Sequence, residues 1–172
     1  MNSTKPKSSK SKTEEKDDTL RIQKIPAGTV IDHITAGYAL AVLQILGING
    51  QEGDVLSIAM NVQSQRMGKK DIIKVERREL TADEINRIAL VAPQATINII
   101  RNYKIFGKMR IEVPDKIIGI VRCENPNCIT NNERGIKSHF SVVDRSPVTL
   151  RCSYCKRISH HEHLIEQLQG AS

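Results

Sequence analysis

Cys123-Glu124-Asn125-Pro126-Asn127-Cys128 and Cys152-Ser153-Tyr154-Cys155 contain all four cysteines of the chain. Four residues separate the first pair, two the second, and 23 lie between the pairs. This is a metal-ligand spacing: each pair turns its sulfurs toward one tetrahedral ion while the long segment between them folds as a hairpin. The other readings are two disulfides or free buried thiols. Disulfides need an oxidising compartment, yet Met1 to Asp18 is polar and has no apolar signal-peptide core. The expected cofactor is one structural zinc ion per chain, held by Cys123, Cys128, Cys152 and Cys155. Four thiolates fill the coordination shell, so no position is left to activate water and no catalytic role is expected of the ion. Such sites make available about 10–16 kcal/mol of apparent binding free energy, enough to hold a domain too small for a proper core.

With 172 residues and 39 % apolar content, the chain can bury one medium core or two small ones. The cysteines are confined to the last third, which favours two domains. No apolar run approaches the ~20 residues of a membrane span, so a soluble, cytoplasmic protein without a membrane partner is expected. The formal charge is +7 with neutral cysteines; four thiolates and one divalent zinc ion bring it to about +5. That surplus suits nucleic acid, nucleotides or an acidic protein. Aromatic content of 3 % and the lack of Trp argue against a stacking platform for single strands.

Residues 1–18 are Lys-, Ser- and Thr-rich and close on Glu14, Glu15, Asp17 and Asp18, a composition expected to stay disordered. From Leu20 the pattern predicts a strand to Ile25, a turn at Pro26 to Gly28 and a second apolar run, Thr29 to Ile31. Thr35 is a candidate N-cap for a helix through Tyr38, Val42, Leu43 and Leu46 that stops at Gly47. Val55 to Val62 and Lys69 to Arg77 read as paired strands. Thr81 and Glu84 form a capping box for a helix ended by Pro93. Two further strands follow, Ala95 to Ile100 and Tyr103 to Ile111, around a turn at Arg101 and Asn102. The order is β-α-β-β-α-β with one added strand. It predicts an α+β, ferredoxin-like antiparallel sheet with two helices on one face, followed after Pro114 by a small β-rich domain carrying the cysteines. In that domain His139 to Val143 and Val148 to Arg151 read as strands and His163 to Leu168 as a short helix.

No Ser-His-Asp order, Walker loop or Rossmann glycine pattern is present, so no catalytic site is assigned. Cations do interrupt the apolar strands. Lys70 and Lys74 are four apart in an extended segment and share a face, Lys108 and Arg110 repeat the relation, and Asn98 sits inside an apolar run. Such a set can hold a polyphosphate. The plainer reading is a solvated sheet face whose lysines discourage aggregation. Asp32 and His33 are either a turn pair or contacts to a sugar and base. His160, His161 and His163 follow the last cysteine, but nothing in their spacing defines a second metal geometry.

Four stretches taken together resemble the regulatory chains of aspartate carbamoyltransferase, from about Leu20 to His160. They are Gly28-Thr29-Val30-Ile31-Asp32-His33-Ile34; Met67-Gly68-Lys69-Lys70-Asp71 with Ile73-Lys74; Ala92-Pro93-Gln94-Ala95-Thr96 with Asn98; and the cysteine spacing. The resemblance implies a non-catalytic subunit in pyrimidine biosynthesis. Residues 1–18 would be its tail, 19–114 an allosteric nucleotide-binding domain and 115–172 a zinc domain gripping catalytic chains. Its expected partners are those catalytic chains, a second regulatory chain in a homodimer, and CTP, UTP and ATP as effectors, with or without magnesium. Carried onto matching positions, Lys108 and Lys70 would meet phosphates, Asp32 and Lys74 the ribose, and His33 the phosphate region. Backbone groups near Ile22, Lys24, Ile25, Tyr103 and Ile105 would read the base, and Val30, Asn98 and Ile100 would line the pocket. Asn125, Asn127 and Arg157 would face the catalytic chain. Lys156, Gln23, the tail and the end after His161 depart from the family pattern. The reading set against this one is a zinc-ribbon protein that binds nucleic acid.

Overall fold

The computed structural model describes residues 24–49, 53 and 55–170. The expected tail, most of the expected strand Leu20 to Ile25, and the candidate site residue Ile22 lie outside the described residues.

Strand β1 (Ala27–Thr35) runs through the centre of a five-stranded antiparallel sheet. Helix α1 (Ala39–Ile45) follows, then the hairpin β2 (Leu56–Ser64) and β3 (Gly68–Glu76), helix α2 (Ala82–Val91), and the hairpin β4 (Thr96–Arg101) and β5 (Lys104–Arg110). The strand order β2-β3-β1-β4-β5 is the ferredoxin-like arrangement with β5 as the added edge. Sheet side chains alternate as period two requires. In β3 Asp71, Ile73 and Val75 are buried, while Lys70, Ile72 and Lys74 lie on the other, partly open face.

Ala27 and Gly28, expected to close a preceding strand, instead begin β1. Gly28 has φ +136°, and a Cβ there would stand 2.1 Å from the Val75 carbonyl oxygen, so only glycine lets the two strands approach. A bulge between Ile31 and Ile34 breaks the β1–β3 register, and within it His33 takes φ 59°.

The first helix begins later than Thr35 suggests. Its N-cap is Tyr38 and no local side chain caps it. Instead the Asp71 carboxylate, fully buried on β3, accepts from Gly37 N at 2.8 Å and Ala39 N at 3.1 Å. Its other oxygen accepts from Asn61 N at 2.8 Å, where β2 also bulges. A cap supplied from 32 residues away has no local signature. The end of α1 does match: Gly47, φ 65°, donates to Gln44 O, and Ile48 donates to Leu43 O, the paired bonds of a left-handed stop. The capping box of α2 is complete in both directions, with Glu84 N reaching Thr81 Oγ1 at 3.3 Å and Thr81 N reaching Glu84 Oε2 at 2.7 Å. The β4–β5 turn sits one residue beyond the expected Arg101-Asn102: Asn102 and Tyr103 both have positive φ, the tight hairpin geometry that matches strand twist.

The last third holds β6 (Lys116–Ile118), a single turn α3 (Ile129–Asn132), β7 (His139–Arg145), β8 (Val148–Cys152), β9 (Ile158–Ser159) and α4 (His161–Gly170), with sheet order β6-β7-β8-β9. Phe140, Ile117, Val148 and Leu150 are its large buried side chains. Helix α4 leaves this sheet and packs against α1 and α2, burying Leu164, Ile165 and Leu168 in the core of the first sheet. Gln44 Nε2 donates to Gln169 O at 2.6 Å across that contact. Among the described residues no helix is long and apolar enough to cross a membrane.

Candidate metal centre and nucleotide site

Cys123 follows β6, Cys128 caps α3, Cys152 ends β8 and Cys155 stands in the turn before β9. Their four sulfurs lie within 4.8 Å of one another. A tetrahedron with zinc–sulfur bonds of about 2.3 Å places sulfurs about 3.8 Å apart. Cys128 and Cys152 are at 3.8 Å and Cys123 and Cys155 at 3.4 Å, so the cage fits the ion. Three of the four residues are buried and Cys155 is half-buried.

Burial pushes the Cys123 and Cys152 thiols up. The Thr130 hydroxyl, donating at 3.3 Å, is the main influence holding Cys128 down. Burial also opposes ionisation of Cys155, but the Arg157 N–H and contacts from Cys123, Asn125 and Cys128 outweigh it and bring the thiol to about 6. Cys155 is thus the ligand that gives up its proton most readily, and the polar contacts around Cys128 act in the same direction.

Side chains that the sequence reading passed over shape the loop. Asn131 Nδ2 donates to the carbonyls of Cys123 and Asn125, each at 2.8 Å, and Asn132 Nδ2 to those of Pro126 and Cys128 at 2.8 and 2.9 Å. The run of Asn after Cys128 was the only signal for this. Asn125, itself half-buried, accepts from Asn127 N at 3.0 Å, while Asn127 and Arg157 are exposed beside the centre. Among the described residues the cysteines are the only such group gathered closely enough for an ion. His160, His161 and His163 do not converge: His163 pairs with Glu166 at 3.3 Å, and the His161 ring packs on Tyr38 at 6.1 Å.

The sheet half assembles a second site. Strand register sets Lys74 (β3), Val30 (β1), Asn98 (β4) and Lys108 (β5) side by side across four strands. Directly opposed residues of antiparallel strands share a face, so this row lies on the side away from Ile31 and Ile73. A cavity of about 330 Å³ opens on it, floored by Val30, Asn98 and Ile100 and flanked by Lys74, with Lys24 and Ile25 on one side and Tyr103 and Ile105 on another. Asn98 is 8 % exposed, and its Oδ1 is buried with no hydrogen-bond partner. Such an atom is costly unless a ligand supplies the donor.

Beside the row, Asp32 Oδ1 receives Lys70 Nζ at 2.7 Å and the His33 N–H at 2.6 Å. Burial holds the His33 imidazole below its usual value, and Lys70, Arg66 and Lys108 add to this against Asp32 alone, so the ring is neutral at pH 7. Burial also lowers Lys74. The candidate residues Asp32, His33, Lys70 and Lys108 therefore form a charged flank to an apolar pocket. A larger cavity of about 580 Å³ lies elsewhere, at the junction of the halves near Pro114 and Arg145. Its arginine is already paired with Asp115, and it gathers none of the candidate residues.

Comparison with known proteins covers both halves. The family model described as the aspartate carbamoyltransferase regulatory chain, allosteric domain, matches residues 20–112, and the one described as the metal binding domain of the same chain matches residues 115–165. A regulatory chain from Methanoculleus marisnigri is 58 % identical over 136 residues, which is 79 % of this chain and 86 % of the relative. One from Methanothrix thermoacetophila is 55 % identical over 136 residues, 79 % and 88 % of the two chains. One from Korarchaeum cryptofilum is 48 % identical over 154 residues, 89 % and 98 %. With both halves matched in order and a closed four-cysteine cage that fits a structural zinc ion, this non-catalytic chain belongs to the family of aspartate carbamoyltransferase regulatory chains.

Proposed function

We propose that this chain senses nucleoside triphosphates, CTP, UTP and ATP, in the cavity on its five-stranded sheet, and passes the result to aspartate carbamoyltransferase catalytic chains through its zinc half. The reading divides the chain into a nucleotide domain, 19–114, and a zinc domain, 115–172. It places the protein in the cytoplasm as a homodimer within the larger assembly.

The observation that carries it is the unpartnered Asn98 Oδ1, buried at the floor of an apolar pocket whose neighbours in the same row are Lys74 and Lys108. An amide carbonyl with no donor suits the exocyclic amino group of a base. The apolar walls suit its ring, and the cations at the row's ends suit ribose and phosphates. Lysines supply affinity common to every triphosphate, whereas Asn98 and backbone groups near Lys24, Ile25, Tyr103 and Ile105 distinguish an amino group from a carbonyl. Asn127 and Arg157, exposed around the metal loop, are where a catalytic chain would be gripped. A nucleotide that binds two arrangements of the assembly unequally shifts activity, and coupling of ~1–3 kcal/mol is typical of such systems.

Calorimetric titration of CTP, UTP and ATP into the zinc-loaded chain tests this, beside Lys108→Gln and Asn98→Ala. Lys108→Gln should weaken all three nucleotides alike, by about tenfold. Asn98→Ala should narrow the gap between CTP and UTP. Absence of saturable binding by any of the three would end the proposal.

A further inference from the structure

Among the described residues Asp71 is the one carboxylate that is fully buried, and it lies on the helix side of β3, away from the cavity and the lysine row. Two bulges flank it. In β1 the pairing passes from Ile31 opposite Ile73 to Ile34 opposite Asp71, so Asp32 and His33 together face Ile72. In β2 it passes from Ala59 opposite Ile72 to Val62 opposite Lys70, so Met60 and Asn61 together face Asp71. The β1 bulge decides what reaches the open face. Ile31 and Ile34 are both fully buried although three residues apart, a spacing that a regular strand would send to opposite faces. The extra residue absorbs the mismatch and leaves Asp32 and His33 to flank the row, with Asp32 Oδ1 2.7 Å from Lys70 Nζ.

Each bulge holds a residue other than glycine in left-handed backbone, His33 at φ 59° and Asn61 at φ 58°. Such a conformation persists where its surroundings fix it. Asp71 Oδ1 accepts from Asn61 N at 2.8 Å inside the β2 bulge. Its Oδ2 accepts from Gly37 N at 2.8 Å and Ala39 N at 3.1 Å, where the chain leaves the β1 bulge and turns into α1. One carboxylate therefore ties the two bulges and the corner between them. We infer that Asp71 is a positioning residue for the nucleotide site: from the opposite face of β3 it holds the bulge that presents Asp32 and His33, and so sets nucleotide affinity without touching the ligand. The inference rests on the nucleotide reading above and adds to it a residue from the buried side of the sheet. The sign of its effect separates position from charge. With both oxygens acting as acceptors Asp71 is an anion next to Lys70, so if charge alone mattered its removal would tighten a triphosphate. Loss of the bulge weakens it.

The test is calorimetry of CTP and UTP on the full zinc-loaded chain, comparing wild type, Asp71→Asn, Asp71→Ala and Thr81→Ala, with far-UV circular dichroism and zinc content showing that each variant is folded at the temperature used. Asp71→Asn keeps one acceptor oxygen and should weaken both nucleotides alike by about threefold, and Asp71→Ala by about tenfold. Thr81→Ala loses a helix cap away from both bulges and should bind as wild type does. The His33 ring resonance, assigned with His33→Gln, should titrate nearer to the usual value of 6.5 in Asp71→Ala, because a loosened bulge relieves its burial, and should stay in place in Thr81→Ala. Unchanged or tighter binding by Asp71→Ala overturns the positioning role. Equal weakening by Thr81→Ala overturns it too, since the effect is then one of stability, and so does weakening with an unmoved His33 ring. If the wild type binds neither nucleotide, the nucleotide reading falls, and the His33 titration alone decides whether Asp71 holds the bulge.

Discussion

The five-stranded half buries Ile31, Ile73, Val75, Ile88, Leu90 and Ile97 to 2 % exposure or less beneath two helices, whereas the four-stranded half has Phe140, Ile117, Val148 and Leu150 and a cage of four sulfurs. The first has apolar area enough to fold by the hydrophobic effect. The second has short strands, one of only two residues, and a loop knitted by asparagines; its order comes from the metal. A ligand pocket can sit on the open face of the first sheet because the other face already supplies stability. The second half gains a surface whose shape depends on an ion. Helix α4 crosses this division: it follows the zinc sheet in sequence but is buried among α1 and α2.

The largest expected effect separates the halves most sharply. Cys152→Ser, or zinc removal by a chelator, should cost the second half most of the roughly 10–16 kcal/mol that such sites make available. Amide exchange should then lose protection through β6–β9 and keep it in β1–β5. Equal loss in both sheets would show that they fold as one unit.

Asp71→Ala comes next, because it strips an acceptor from three backbone N–H groups at once. Water can reach the exposed Gly37 and Asn61, so the cost should be about 2–4 kcal/mol rather than the full sum. Urea denaturation measures it, and a cost below about 1 kcal/mol would mean that α1 does not depend on its distant cap. Thr81→Ala, which removes only a local cap, should cost about 1 kcal/mol by the same measurement. The pair contrasts a cap made by the fold with one made by neighbouring residues.

The smallest effect concerns α4. Burial lowers the His161 imidazole, opposed by Glu162 on its own helix and by the Leu90 carbonyl on α2; the Tyr38 ring, before α1, packs on it. Since the folded form holds the proton less tightly than the unfolded form, this contribution is complete above the unfolded value near 6.5 and is lost as pH falls below it. Protection of the α4 amides, taken as the exchange rate relative to the intrinsic rate at each pH, should fall from about pH 7.5 to about pH 5.5, and His161→Gln should flatten that dependence. An unchanged slope in the variant would remove His161 from the account.

How far each feature was legible follows from the range of its cause. The capping box at Thr81, the stop at Gly47 and the cysteine pairs are made by residues close in sequence, so spacing alone exposes them. The late start of α1 was hidden because its cap lies on β3. The β4–β5 turn was misplaced by one residue because Asn102 and Tyr103 both adopt left-handed backbone, which composition favours for the first and not the second. Helix α3 is a single turn, too short for any periodicity.

The sequence by itself determined the metal, since four thiols at that spacing leave an ion little alternative, and it determined the alternation that places Lys70 and Lys74 on one face and Ile73 and Val75 on the other. Only the tertiary structure decided which face-sharing residues become neighbours, because register across β3, β1, β4 and β5 depends on two bulges and a glycine contact that no single segment encodes. That register sets Lys74, Val30, Asn98 and Lys108 in one row and leaves the Asn98 oxygen without a donor.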